Sequence, residues 1–233
     1  MAVFAPAPSS DRKFDAHPAG DFSAVLCDVY ALEEVNYFCG KPGQNGEVDE
    51  RATSLNLYLC FLTEAMIDIK GEMKPRWIRQ KFSFSLGKNA KLTATLKGWI
   101  AELAGHENLY TVFGERGGKP IDTLIGTPAY ITVTHSPNLK DPSNPYANVT
   151  KILRLPKFNP ESGEPVKAVE IPSDYKRSDA EKLQENANAR IREKNPSWVP
   201  SAKATAKFNE AKKAADSFKS PEASTVTDDD LPF

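Results

Sequence analysis

The hydrophobic positions of this chain change period partway along it. From Ala24 to Leu32, Val25, Cys27 and Val29 alternate with Leu26, Asp28 and Tyr30, the period of two that predicts a β-strand. The turn formers Gly40-Lys41-Pro42-Gly43-Gln44-Asn45-Gly46 then demand a loop. A second strand is predicted from Ser54 to Leu62, with Leu55, Leu57, Leu59 and Phe61 on one face and Asn56, Tyr58 and Cys60 on the other. A third runs from about Arg76 to Leu86. It sets Ile78, Phe82, Phe84 and Leu86 against Trp77, Arg79, Lys81, Ser83 and Ser85, with Gln80 interrupting the apolar side.

From Lys88 the period lengthens. Leu92, Leu96, Trp99 and Leu103 fall on one face of a helix of about four turns, with Asn89 as its expected N-cap and Gly105 as its stop. After a loop with Gly114, Gly117 and Gly118, two more strands are expected at Ala129–Thr134 and Ala147–Leu155, joined by the Pro-rich HSPNLKDPSNP. Three short strands, a helix, then two strands is the chain order of an OB-fold, a five-stranded Greek-key barrel with its helix between strands three and four. An α+β sandwich of another topology is the alternative the pattern leaves open.

The organisation expected is therefore a flexible arm over 1–20, the OB-fold domain over 21–158, a basic, partly helical extension over 159–220, and a disordered acidic tail over 221–233. In the extension, Ser178 and Glu181 have capping-box spacing ahead of a stripe of Leu183, Ala187 and Ile191. Ala204, Phe208, Ala211, Ala215 and Phe218 suggest another helix. Both stripes are thin, so these helices are expected to dock on the barrel or on another subunit. Nine of the 18 prolines lie between Pro120 and Pro172, which argues against long helices there.

Charge sharpens this division. The whole chain nets −1, but Lys70–Lys97 holds eight basic residues and one acid, net +7, and Lys176–Lys219 eleven basic and six acidic, net +5. From Glu222 onward there are four acids and no base, net −4. Cys27, Cys39 and Cys60 form no Cys-x-x-Cys and read as buried thiols in a reducing cytosol. The opening MAVFAPAPSS lacks the basic and apolar regions of a secretion signal, and no run approaches about 18 apolar residues. A cytoplasmic location is the expectation.

Catalysis finds no support. His17, His106 and His135 have no triad or ligand spacing and read as surface or loop residues. The run Gly114–Pro120 fails as a phosphate loop, because Phe113 and Pro120 stand where Gly and Ser or Thr are needed. No enzyme, metal or cofactor is expected. The third strand is more informative: Trp77, Arg79 and Lys81 share its outer side, with Lys74 and Arg76 just upstream. A flat ring beside fixed cations gives base stacking and phosphate attraction together, which suits single-stranded nucleic acid of any sequence. Tyr58 and Tyr30 on the outward sides of strands two and one would extend this platform. Lys41 and Lys140 lie in the loops with which OB-folds embrace a strand.

The sharpest signal is terminal. Asp228-Asp229-Asp230-Leu231-Pro232-Phe233 offers a partner protein three charges for steering, with Leu231 and Pro232 leading to an aromatic ring to bury and a carboxylate to hold. This run closely resembles the acidic tip of bacterial and phage single-stranded DNA-binding proteins, which recruits replication and repair proteins. Gln80–Leu86, Asn89–Leu92 and Trp99 are similar to a family of phage OB-fold proteins associated with single-strand binding. So are Leu124–Ala129, Tyr146–Val149 and Leu155–Lys157. The resemblance implies sequence-independent binding of single-stranded DNA during replication or recombination, with partners recruited by the tail and self-association as a further expectation. The acidic tail is also expected to compete with DNA for the basic face, so deleting 222–233 should tighten binding at low salt. Unchanged affinity would count against that. The alternative is an OB-fold adaptor of phage replication that contacts protein and no DNA.

Overall fold

A computed structural model describes residues 15–35, 53–69, 71–114, 119–139, 141–159 and 162–194. The alternating segments form β1 (Gly20–Val35), β2 (Thr53–Ile69), β3 (Glu72–Ser83), β4 (Pro128–Ser136) and β5 (Tyr146–Leu153). They make one antiparallel sheet in spatial order β3-β2-β1-β4-β5, so the described residues are mainly β with few helices. The strand β1 serves both halves. Gly20–Val25 pairs with β4, while Ala24–Val35 pairs with β2.

The strict alternation expected in β1 does not survive. A bulge between Leu26 and Asp28 inserts Cys27, and one extra residue reverses the side each later residue faces. Ala24, Leu26 and Val29 consequently enter the main core, while Val25, Cys27, Tyr30 and Leu32 face the opposite side. The expected faces of β2 and β3 hold: Leu57, Leu59, Phe61, Ile78 and Phe82 are all in the main core. Both strands start earlier or run later than their apolar patterns, continuing as a two-stranded ribbon in which Met66 pairs with Pro75 and Ile69 with Glu72. Gly71 closes the ribbon at φ +84°, a conformation that suits glycine, with its N–H donated to Asp68 Oδ1 at 2.6 Å.

The four-turn helix is broken. Its first part is α1 (Lys91–Trp99), and a 3₁₀ turn follows at Ala101–Leu103, because Ile100 is extended at φ −107°, ψ 115°. The apolar face persists across the break, since Leu92, Leu96, Trp99 and Leu103 are all buried. Ala90, not Asn89, occupies the N-cap position, and no side chain caps it. Trp99 Nε1 donates to the Pro128 carbonyl at 2.7 Å, tying α1 to the start of β4. The loop expected next also contains α2 (Tyr110–Phe113) and a 3₁₀ turn at Ile121–Leu124.

The extension holds α3 (Ala180–Lys194), whose cap is Asp179, one residue beyond the expected Ser178. Its Oδ1 accepts the Lys182 N–H at 3.0 Å. This helix docks on β1. Val169, Ile171, Tyr175, Ala180 and Leu183 pack on a second apolar cluster formed by the outward residues of β1 and β2. The sheet is therefore apolar on both sides at its centre. Residues 15–19 of the expected arm are also fixed. His17 is only 6% exposed, not a surface residue, with Nε2 2.8 Å from Thr63 Oγ1. Its backbone carbonyl meets His135 Nε2 at 2.7 Å. Burial, with Arg76 and His135 nearby, holds the His17 imidazole below its ordinary pKa, in the neutral form.

Candidate nucleic-acid interface

Cross-strand register decides which candidate side chains meet. Tyr30 sits opposite Tyr58, Tyr58 opposite Lys81, Cys60 opposite Arg79 and Leu62 opposite Trp77. These pairs form a row across three strands on the side away from the main core. The Tyr30 and Tyr58 rings stack with centroids 5.1 Å apart and 20° between planes. The Arg79 guanidinium lies 5.1 Å from the Tyr58 ring centre and 5.9 Å from that of Trp77, within cation–π range of both. Its Nη1 donates to the Tyr30 hydroxyl at 3.2 Å.

Exposure divides this row. Trp77 is 43% exposed, and Arg79 and Lys81 beside it are also open to solvent. Tyr30 and Tyr58 are not open: they are 6% and 5% exposed, inside the cluster on which the extension packs. The outward platform expected of these two tyrosines is corrected accordingly. They face away from the main core, but the chain itself covers them. Burial pushes the Tyr30 phenol up to about 12 and raises that of Tyr58 further, with the Glu34 carboxylate adding to the latter, so both stay neutral.

The cations differ as much as the rings. Lys81 Nζ lies 2.7 Å from Glu34 Oε2, which also accepts the Tyr58 hydroxyl at 2.6 Å and Asn56 Nδ2 at 3.1 Å. Burial alone would raise the pKa of Glu34, but these donors outweigh it and hold the carboxyl below its ordinary value of 4.5. Lys74 pairs with Glu72 at 3.1 Å. Arg76 falls on the Ile78 side of β3 by strand parity and leaves the face of Trp77. Its Nη1 donates to the carbonyls of Asp15 and Ala16, both at 2.9 Å, so it anchors the N-terminal segment. Among the described residues, no carboxylate stands within ion-pairing distance of Arg79. That leaves Arg79 as the cation of this face best placed to meet a phosphate. Lys41 and Lys140 in the loops, and Asp228, Asp229, Asp230, Leu231, Pro232 and Phe233 of the tail, lie outside the described residues.

Two groups escaped the sequence reading. Glu34 sits at the strand end yet organises three donors of the row. Asp28, 2% exposed, accepts the backbone N–H of Val29 at 2.9 Å and of Ser178 at 2.7 Å, and Arg177 Nε at 3.3 Å. A carboxylate amid the apolar run Ala24–Leu32 was the available signal, because a buried charge needs partners from elsewhere in the chain. Among the described residues, no three His, Cys, Asp or Glu side chains gather as a metal site would need, and no helix is long and apolar enough to cross a membrane. Compared with known proteins, the chain matches no family model, and no curated protein matches it either.

Proposed function

We propose that this chain is a phage-type OB-fold protein that binds single-stranded DNA without reading its sequence. The observation that carries the reading is the half-exposed Trp77 indole on β3 with the Arg79 guanidinium 5.9 Å from its ring. A base stacks on the ring while the cation attracts the adjoining phosphate, and neither contact depends on base identity. The OB-fold assignment is supported by the strand order β3-β2-β1-β4-β5, by β1 pairing in both halves, and by α1 falling between β3 and β4. The bound strand would be protected during replication or recombination, while the acidic tail Asp228–Phe233 recruits partner proteins.

The test is a titration of the full chain with oligo-dT and with a duplex of equal length, over a range of salt. Quenching of tryptophan fluorescence that is absent in Trp77→Phe, favours the single strand, and weakens steeply with salt supports the reading. Equal affinity for duplex, or binding indifferent to Trp77, overturns it. The adaptor alternative draws on the covering of Tyr30 and Tyr58, which leaves one open ring on the row. An adaptor would give no salt-dependent response to either DNA.

A further inference from the structure

The Tyr30–Tyr58 stack resembles the aromatic platforms on which successive bases lie, yet only the β3 end of its row is open. Closing the other end is the segment Val169–Leu183. Its hold is of a particular kind. The five apolar residues it sets against the cluster are only partly buried, and Ile191 is the one buried side chain among those described in α3. Residues 166–179 form neither helix nor strand. The remaining attachment is polar and made at four points, one of them the Arg177 guanidinium, whose Nη2 lies 3.7 Å from Asp122 Oδ2 in the 3₁₀ turn Ile121–Leu124. Asp28 holds the Ser178 N–H and Arg177. The Cys27 thiol meets the Tyr175 hydroxyl at 3.2 Å. Gln184 pairs with the Glu33 backbone in both directions, accepting its N–H at 2.8 Å and donating to its carbonyl at 3.1 Å. A segment fixed by side-chain latches, with few fully buried apolar groups, belongs to the low-stability end of a fold and opens before the core does.

We infer that Val169–Leu183 is a displaceable strap over a second stacking site made by Tyr58 and Tyr30, and that single-stranded DNA entering across Trp77 and Arg79 takes its place. This rests on the single-strand reading above. Strap and DNA then compete for the same rings, and the apparent affinity is lowered by the fraction of molecules in which the strap is closed. The sign of one substitution separates this from simple electrostatics. Arg177→Ala removes a positive charge, which through phosphate attraction alone would weaken binding. By loosening the attachments of Arg177 to Asp28 and to Asp122 it should instead tighten binding of oligo-dT about tenfold.

Gln184→Ala breaks a different latch without unpairing Asp28, and should tighten binding about threefold if Arg177→Ala proves too unstable to assay. A direct readout comes from hydrogen exchange in the unmodified full chain. The Tyr175, Ser178 and Leu183 amides are bonded to the Pro172 carbonyl, Asp28 and the Asp179 carbonyl, and the first two should exchange faster once oligo-dT is bound. Weaker or unchanged affinity in both variants, with those amides equally or better protected in the complex, overturns the strap. If neither the wild type nor the variants bind oligo-dT, the single-strand reading falls and the strap with it. If all bind through Trp77 with equal affinity, the strap alone falls.

Discussion

Trp77 and Tyr58 lie on the same side of adjacent strands, two aromatic rings bridged by one guanidinium, and their surroundings are opposite. Trp77 stands on the outer strand with nearly half its surface in solvent, whereas Tyr58, one strand inward, is 5% exposed. The difference arises from the chain beyond the sheet. The described part of the extension packs on the outward cluster of β1 and β2, which includes Tyr58 and not Trp77. Strand parity tells which side of a sheet a residue faces; exposure depends on what crosses that side afterward. One row of side chains is thus part core and part surface, and its two halves should answer mutation differently.

The largest expected effect tests the covered half. Tyr58→Ala should cost about 3–5 kcal/mol of stability in urea denaturation, as truncation of a buried aromatic does, while Trp77→Ala should stay within about 0.5 kcal/mol, as at an open surface. Equal losses at the two positions would erase the distinction. Next in size is binding. Trp77→Ala should weaken association with oligo-dT by about 1–3 kcal/mol at fixed salt, the worth of one stacked base. A loss below about 0.3 kcal/mol would remove the ring from the interface.

The two cations of the face provide a finer contrast. Arg79→Gln should lower the slope of log affinity against log salt by about 1, as expected when one phosphate contact goes. Lys81→Gln should change it much less, because Lys81 is already engaged by Glu34. Equal slope changes would show that the Glu34 pairing breaks on binding. The smallest effect is a pH dependence. Since the folded state holds the Glu34 carboxyl below its ordinary 4.5, the unfolded chain takes up this proton first as pH falls. The stabilisation is therefore complete at neutral pH and fades through the acid range below about pH 5. Glu34→Gln should flatten that part of a plot of melting temperature against pH, and an unaltered slope would deny Glu34 its role in the row.

Much of this was written in local pattern, though unevenly. The faces of β2 and β3 followed from alternation, and α1 placed Leu92, Leu96, Trp99 and Leu103 inward even though Ile100 interrupts the helix. Only β1 misled. A bulge adds one residue without changing composition, so the alternation of Val25, Cys27 and Val29 could not disclose that Cys27 and Val29 part sides. A further clue went unused: the outward residues Val25, Cys27, Leu32, Cys60 and Leu62 are as apolar as the inward ones, the mark of strands covered on both sides. For the candidate site, the neighbours of Trp77 along β3 were legible because strand period fixes them. The covering of the tyrosines was not, since its contacts join residues about 150 positions apart.

By itself the sequence determined the order of elements, the sides of β2 and β3, and the placing of Trp77, Arg79 and Lys81 in a row, because each depends on the period of a single segment. Tertiary structure alone decided which of those side chains water can reach and which cations are already engaged. Arg76 was claimed by the Asp15 and Ala16 carbonyls, Lys81 by Glu34, and the tyrosines by the apolar cluster beneath Val169–Leu183. Exposure and pairing are properties of what comes to lie next to a residue in space, and those neighbours arrive from segments that no local pattern connects.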